Sequence, residues 1–167
     1  MNYSTTGVDN CYYKGNVSGS SSVGGIVGSN HGRIENCYAL VTVSASGSSI
    51  GGIAGFESGT VQYCVALQDT IATTASSITS IGRVASVNSG LAFNYGRAAL
   101  VPTSGGSTIG MITSLVDKDG QNINPGTTGG YNDQTFWETT LGWDFTNVWE
   151  MSTATNPLPV LRNIGGQ

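Results

Sequence analysis

The sequence is poor in charge. Only 10% of its 167 residues are Asp, Glu, Lys or Arg, and the six basic residues leave a net charge of −4. A nucleic-acid interface needs a basic face that neutralises phosphates, and binding to an anionic membrane surface needs a similar cluster. The composition therefore argues against nucleic acid and anionic lipid as partners.

The residues that most enzymes and metal sites use are also scarce. There is one histidine, His31, and there are three cysteines, Cys11, Cys37 and Cys64. A zinc hydrolase of the H-E-x-x-H type needs two histidines, and the cysteines lack the close C-x-x-C spacing of zinc sites. No G-x-S-x-G nucleophile motif is present. We therefore expect no catalytic residue, metal or cofactor, and we interpret His31 as an exposed turn residue.

No hydrophobic run is long enough to span a membrane, and the sequence shows no signal peptide or lipidation motif. It opens within a repeat, because residues 8–12 already match residues 34–38. We interpret Met1 as an artificial start and expect a longer parent polypeptide. On this interpretation, the missing targeting signal carries no information about location.

A repeat dominates what is present. The phrase Val-Gly-Gly-Ile-Val-Gly at residues 23–28 recurs as Ile-Gly-Gly-Ile-Ala-Gly at residues 50–55, and weaker copies begin at Ile81 and Ile109. A second phrase alternates with it at residues 32–39 and 59–66, with a degenerate copy at 90–95. Equivalent residues recur about every 27 positions, which is a period typical of solenoids.

Each unit holds three short predicted strands, at residues 33–39, 40–44 and 50–55 in the second unit, with Ser/Gly/Asn turns between them. Three such strands match one coil of a parallel β-helix, in which stacked coils place equivalent residues about 4.8 Å apart. We therefore predict an all-β fold, a right-handed parallel β-helix (β-solenoid) of about four coils. The handedness follows from the chirality of parallel crossovers.

Three apolar ladders are expected to fill the interior, because no single coil can bury its own hydrophobic residues. They are Val23, Ile50, Ile81 and Ile109; then Ile26, Ile53, Val84 and Ile112; then Val8, Ile34 and Val61. The three cysteines are predicted to form a ladder of buried free thiols, since stacked side chains point the same way and disfavour a disulfide.

Glycines also align between the copies, at Gly24, Gly51, Gly82 and Gly110. We expect a coil corner there that needs a positive φ or a close backbone approach. Because Arg83 replaces the second glycine of the third copy, we expect that corner to be wider or remodelled.

Residues 1–115 are predicted to form the repeats, and residues 116–167 a loop-rich capping segment of the same domain. The three tryptophans, Trp137, Trp143 and Trp149, all lie in the second segment. We expect a hydrophobic cap over the last coil, with Trp143 and Phe145 on one face of a strand. The alternative is an exposed aromatic platform that stacks on sugar rings.

Carboxylates are the remaining candidates for catalysis, because polysaccharide-cleaving β-helices cluster them on one face. Asp9 and Glu35 share a ladder position, but Gln62 follows them, Asp69 is isolated and the arginines do not align. Residues 117–122 resemble a calcium loop only loosely and are interpreted as a turn. We therefore expect a protein that is not an enzyme.

The repeated phrases resemble the GLUG motif repeats of bacterial surface proteins. The matching residues are 24–28 with 36–39 and 51–55 with 64–66, and the segments at 137–149 and 158–161 are similar to what commonly follows such repeats. The resemblance implies a secreted or surface-anchored bacterial protein. Many members are regarded as adhesins, and some IgA-specific metalloproteases carry similar repeats outside their catalytic region. It supplies no catalytic residues.

The sequence thus predicts a non-enzymatic module at an extracellular or cell-surface location, an adhesin or stalk fragment of a larger bacterial surface protein. Its expected partner is a host or matrix glycan or protein, recognised by variable turns at residues 18–22 and 45–49. Two alternatives remain open. One is a carbohydrate-binding module that uses the tryptophans, and the other is the accessory spine of a surface-associated enzyme.

Overall fold

The computed structural model describes residues 7–76, 78 and 80–163. The chain forms two compact units, Met1–Asn122 and Ile123–Gln167. In chain order the strands are β1 (Val8–Asp9), β2 (Tyr12–Gly19), β3 (Val23–Gly24), β4 (Val27–Asn30), β5 (Arg33–Glu35), β6 (Tyr38–Ala45), β7 (Ile50–Gly51), β8 (Ala54–Glu57), β9 (Thr60–Gln62), β10 (Val65–Ala66), β11 (Thr70–Thr73), β12 (Ile81–Gly82), β13 (Leu91–Ala92), β14 (Tyr95–Arg97), β15 (Thr103–Ser104), β16 (Ser107–Thr108), β17 (Gln121–Ile123), β18 (Trp149–Met151) and β19 (Pro159–Leu161).

The first unit is a parallel β-solenoid of about four coils, as predicted. Strands from successive coils pair in parallel in the orders β1-β5-β9-β13, β3-β7-β12 and β4-β8. In a longer sheet, β2 pairs with β6, and β6 pairs with both β10 and β11. In turn, β10 pairs with β14 and β11 pairs with β15. Among the described residues, no helix is long and apolar enough to cross a membrane.

The predicted apolar ladders form the interior. Val8, Ile34 and Val61 are in register, and Leu91 extends them into the fourth coil. Val23, Ile50 and Ile81 are likewise in register. The Ile26 amide donates to the Ile53 carbonyl, and the Ile53 amide donates to the Val84 carbonyl. Because Ile34, Ile50, Ile53 and Val61 are fully buried, each coil is shielded by its neighbours.

The prediction that Ile109 and Ile112 continue these ladders is wrong. Gly105 and Gly106 both have positive φ and turn the chain back, so that β16 pairs antiparallel with β15. Ile112 is 68% exposed. The Lys118 carbonyl instead accepts hydrogen bonds from the amides of Val84 and Ala85, and this later segment fills the fourth position.

The first two coils have four strands each, β1–β4 and β5–β8, rather than the three predicted. The expected strand at residues 33–39 is interrupted at Asn36, whose φ of 51° is in the left-handed region. The expected strand at 50–55 is interrupted between Gly51 and Ala54. The cause is geometric, since a closed coil must turn corners and a strand cannot continue through a left-handed residue.

Three of the four aligned glycines are required by close approach, not by a positive φ. A Cβ at Gly51 would lie 2.1 Å from the Ala54 carbonyl oxygen, and one at Gly24 would lie 2.3 Å from that of Val27. Gly82 is equivalent, with 2.4 Å to the Ala85 oxygen. Gly110 is not part of this corner, because a Cβ there would meet nothing within 4 Å.

The third corner is remodelled around Arg83, as expected. The Gly52 amide donates to the Arg83 carbonyl, so Arg83 holds the position of Gly52 one coil later. Its side chain is fully buried. Gly96 makes room for it, because a Cβ at Gly96 would lie 2.7 Å from Arg83 Nε. A large side chain here thus replaces a glycine at one position and requires a glycine at another.

Between residues 123 and 163 the second unit includes a π-helix at Phe136–Thr140 and an antiparallel strand pair in which Trp149 lies opposite Leu161. The predicted strand through Trp143 and Phe145 is wrong, because Phe145 lies in a turn. Asp144 causes this turn, since its Oδ1 accepts hydrogen bonds from the amides of Thr146 and Asn147. That this unit caps the solenoid stays a prediction.

Candidate functional site

One outer face of the solenoid carries a row of polar side chains, which we call the polar face. Asp9, Glu35 and Gln62 lie in register on β1, β5 and β9, as predicted. Gln62 Nε2 donates to Glu35 Oε1 over 2.9 Å. Arg33 Nη2 lies 2.6 Å from Asp9 Oδ2, and Arg33 also pairs with Glu35. The expectation that no arginine aligns with these carboxylates is therefore wrong, because Arg33 shares a strand face with Glu35 two residues away.

In each coil the chain turns a corner at the residue directly after the polar-face position. We call these residues the left-handed corner. Its members are Asn10, Asn36, Tyr63 and Phe93, with φ of 53°, 51°, 54° and 55°. The rings of Tyr63 and Phe93 are parallel within 3°, with centroids 5.1 Å apart. Phe93 is 49% exposed. The corner therefore changes from amides to a stacked aromatic pair along the solenoid.

The cysteines lie just inside this corner and are free, as predicted. Cys37 and Cys64 are buried, but the prediction of burial is wrong for Cys11, which is half-buried in the first coil. Each thiol donates to the carbonyl two residues earlier, as Cys37 does to Glu35 over 3.1 Å. The thiol of Cys37 and burial raise the pKa of Cys11 above its usual range. The Cys11 thiol lowers the pKa of Cys37, but the Cys64 thiol and burial outweigh this and raise it. High pKa values favour inert thiols.

Glu57 is a buried carboxyl that sequence inspection did not single out. It is 3% exposed and lies in register with the fully buried Asn30. Asn30 Nδ2 donates to both carboxyl oxygens, over 2.9 and 3.1 Å, and the Gly59 amide donates to Oε1 over 2.6 Å. Burial raises the pKa of Glu57 to about 7, although these donors partly offset it.

The raised pKa of Glu57 predicts that the free energy of unfolding falls as the pH rises. The pKa of Glu57 is about 7 in the folded protein against a usual 4.5, so folding favours the protonated form. Its contribution is complete below pH 4.5 and is lost as the pH rises through about 7. We expect Glu57 to lower the free energy of unfolding by about 3 kcal/mol over this range. Urea unfolding followed by far-UV circular dichroism at several pH values measures it.

Glu57→Gln keeps the shape of the side chain without a titrating group, so its stability should vary less with pH. Asp69→Asn is the matched control, because it removes an exposed carboxyl that pairs with Arg97 in the same unit. A Glu57→Gln variant with a pH profile as steep as that of the wild type would contradict the prediction.

His31 is exposed in the turn after β4, as predicted. Its Nδ1 lies 2.7 Å from the Ser58 hydroxyl oxygen and its Nε2 lies 3.4 Å from that of Ser29. The Phe56 ring lies 5.6 Å from the imidazole. These contacts join the turns of two successive coils, and they give the histidine a role in holding the turns together.

The segment at residues 117–122 uses its carboxylates within the protein. Asp119 is 1% exposed, and its two oxygens accept hydrogen bonds from the amides of Arg83 and Ile112. Asp117 Oδ2 accepts from Asn88 Nδ2. Among the described residues, no group of three His, Cys, Asp or Glu side chains could hold a metal ion. Asp69, expected to be isolated, instead pairs with Arg97.

The three tryptophans form the interior of the second unit. Trp137 and Trp149 are fully buried and Trp143 is 2% exposed. Ring centroids are 4.7 Å apart between Trp137 and Trp143, and 4.6 Å apart between Trp143 and Trp149. A carbohydrate-binding role for these residues stays a prediction, and it would require this cluster to open.

The aromatic corner could have been found in the sequence. Aligning the copies by their cysteines places Tyr63 at the position of Asn10 and Asn36. The degenerate fourth copy places Phe93 there, next to Asn94, which replaces the cysteine. A change from a residue that tolerates positive φ to bulky aromatic residues is the signal. Glu57 gives no comparable signal, since its burial depends on the stacking of β4 and β8.

The fold and the repeated corner define the first unit as a repeat protein of the parallel β-solenoid class. The family model of the GLUG motif matches residues 19–44, so the chain carries a GLUG motif there and the resemblance is confirmed. A crystal structure of a "putative immunoglobulin A1 protease" from Bacteroides ovatus is similar, with a TM-score of 0.65 and 20% sequence identity. The similarity covers 93% of this chain but 57% of that one, and it shows a shared fold. No curated protein gives a significant match.

Proposed function

We propose that the chain is a non-enzymatic module of a bacterial surface protein that acts as an adhesin or stalk. The observation that carries this proposal is the stacking of the variable turns into a rigid ridge. The Gly47 amide donates to the Ser20 carbonyl over 2.7 Å, and the Ser48 amide donates to Ser21 Oγ over 3.2 Å. Turns held in register on a solenoid present a repeated surface, which suits attachment or spacing.

The placement of the reactive groups supports a role without catalysis. The thiols of Cys37 and Cys64 and the carboxyl of Glu57 are buried, and Arg83 is buried with Asp119. They hold coils together and do not line an open cleft. The GLUG motif and the fold shared with a bacterial protein support a surface location.

A second candidate is the accessory spine of a surface-associated enzyme. The Bacteroides ovatus protein is described as a "putative immunoglobulin A1 protease", and the similarity covers 57% of its chain. The solenoid would then position a catalytic part that lies elsewhere. Incubating the purified chain with immunoglobulin A1 tests for activity in this chain, and we expect no cleavage. Cleavage that persists in a protein purified to homogeneity would contradict the non-enzymatic proposal.

Adhesion can be tested with the chain coupled to microspheres. We expect these spheres to bind a surface coated with mucin or extracellular-matrix protein more than spheres that carry albumin. Spheres that carry the heat-unfolded chain are the control for nonspecific stickiness. Equal binding by the folded chain and albumin would contradict an adhesin role and leave the stalk role.

A further inference from the structure

Tyr63 and Phe93, the aromatic half of the left-handed corner, hold a backbone conformation that costs energy. The fold does not require aromatic residues there. An L-residue loses about 1–2 kcal/mol in the left-handed region, and Asn tolerates it better than bulky residues do. Asn10 and Asn36 meet this need in the first two coils. Tyr63 and Phe93 do not, and Phe93 is 49% exposed, so the core does not demand its ring. Strain of this kind at an exposed position points to function.

The two rings are held in place before any ligand arrives. Their planes differ by 3° and their centroids are 5.1 Å apart. The backbone amide of Tyr63 donates to the carbonyl of Ala92, which fixes the spacing of the two coils at the corner. A fixed aromatic surface loses little conformational entropy when it binds, and this favours even a weakly binding ligand.

The polar face runs next to the corner in the first three coils, because Asp9, Glu35 and Gln62 directly precede Asn10, Asn36 and Tyr63 in sequence. Gln62 precedes Tyr63 and donates to Glu35, whose coil is adjacent. The position before Phe93 is Ala92, in register with Gln62. The fourth coil therefore has a methyl group where the third coil has the Gln62 amide. An apolar ring with an amide and a carboxylate at one side suits a sugar, which has an apolar C–H face and hydroxyl edges.

The charge of this surface restricts the type of sugar. The carboxylates of Asp9 and Glu35 face the single guanidinium of Arg33, and the whole chain has a net charge of −4. Acidic sugars such as uronates and sialates would be repelled. We propose that Tyr63, Phe93, Gln62 and Glu35 form a binding site for a neutral pyranose oligosaccharide. The proposal rests on the adhesin role and names the ligand class for it.

The test uses an asparagine double variant, Tyr63→Asn with Phe93→Asn. Asparagine occupies the same backbone conformation at the first two coils, so we expect the thermal midpoint to be equal to or above that of the wild type. The probes are cellotetraose and chitotetraose, titrated into the whole chain and followed by NMR at the Ala92 methyl group. Trigalacturonate is the acidic probe. We expect the double variant to bind at least about tenfold more weakly.

Phe56→Asn is the matched control, because Phe56 is 39% exposed on β8, on another face of the solenoid. It should bind the neutral tetraoses as the wild type does. Gln62→Ala should weaken binding without removing the rings. The site is overturned if neither neutral tetraose binds the wild type, if trigalacturonate binds better, or if the double variant binds equally well. Spheres that adhere to matrix protein while no tetraose binds would overturn the sugar site alone and leave the adhesin role.

Discussion

Replacing Gly51 with alanine is expected to destabilise the solenoid by about 3 kcal/mol or to prevent its folding. The new Cβ would lie 2.1 Å from the Ala54 carbonyl oxygen, 2.7 Å from Ala85 Cα and 2.8 Å from the Val84 oxygen. All three are backbone atoms of tightly paired segments. They cannot move away by changing a rotamer, so the clash must break the pairing of two coils.

Gly110→Ala is the matched control for this experiment. The repeat pattern alone treats Gly110 as equivalent to Gly51, yet a Cβ at Gly110 would meet no atom within 4 Å. We expect its free energy of unfolding to stay within about 0.5 kcal/mol of the wild type. Equal destabilisation by the two variants would contradict the structure and restore the fourth glycine to the corner.

The measurement must report on the first unit. All three tryptophans lie in the second unit, so tryptophan fluorescence would follow the wrong part of the chain. Far-UV circular dichroism in urea gives the midpoint of unfolding. Hydrogen exchange read by mass spectrometry on peptides from residues 23–57 locates the loss of protection, which we expect to be centred on β7.

Removing the carboxylate of Asp119 is expected to cost about 1–3 kcal/mol, because it leaves the buried backbone amide of Arg83 without its acceptor and takes away a negative charge that favours the charged guanidinium. The guanidinium donates to the carbonyls of Asp119, Gly120 and Arg97, over 2.7 to 2.8 Å. Burial lowers the pKa of Arg83, while the nearby carboxylate favours its charged form. Burial likewise raises the pKa of Asp119, although the Arg83 and Ile112 amides oppose this.

Two variants separate charge from hydrogen bonding at this position. Asp119→Ala loses both, whereas Asp119→Asn keeps an oxygen that can accept from the Arg83 amide. We expect the Asn variant to be destabilised less than the Ala variant. Urea unfolding of these two variants, of Arg83→Met and of Arg83→Met with Asp119→Ala forms a double-mutant cycle. Additive effects in that cycle would contradict a coupled buried pair.

The repeat period was enough to predict the ladders that build the core. Val8, Ile34 and Val61 stack as their spacing required, and so do Ile26, Ile53 and Val84. The prediction failed at the fourth copy, residues 109–112, where the apolar and glycine pattern is weakest. There the Gly105–Gly106 turn reverses the chain. The Val84 amide donates to the Lys118 carbonyl rather than to the segment that contains Ile109 and Ile112. A pattern of two or three residue types cannot distinguish a degenerate copy from a chance match.

The candidate site was partly visible in the sequence. The row Asp9, Glu35 and Gln62 was predicted and is present, but its pairing with Arg33 was missed, because Arg33 is in register with Thr60 and reaches Asp9 and Glu35 only through its long side chain. The tryptophans were the expected aromatic platform, whereas the structure buries them and exposes Phe93. Exposure depends on which side of a backbone a residue occupies after a corner. Spacing alone does not specify that side when the corner uses a left-handed residue.

The class of fold follows from the repeat, because small aliphatic residues that recur every coil can be buried only when coils stack. It also determined which cysteines align, since their spacing equals the period. The folded structure was needed to establish where the strands break, what fills the fourth coil, and that Arg83 and Glu57 are buried. These outcomes depend on contacts between residues that are distant in sequence, and their energies are set by burial and by hydrogen-bond partners that no local pattern contains.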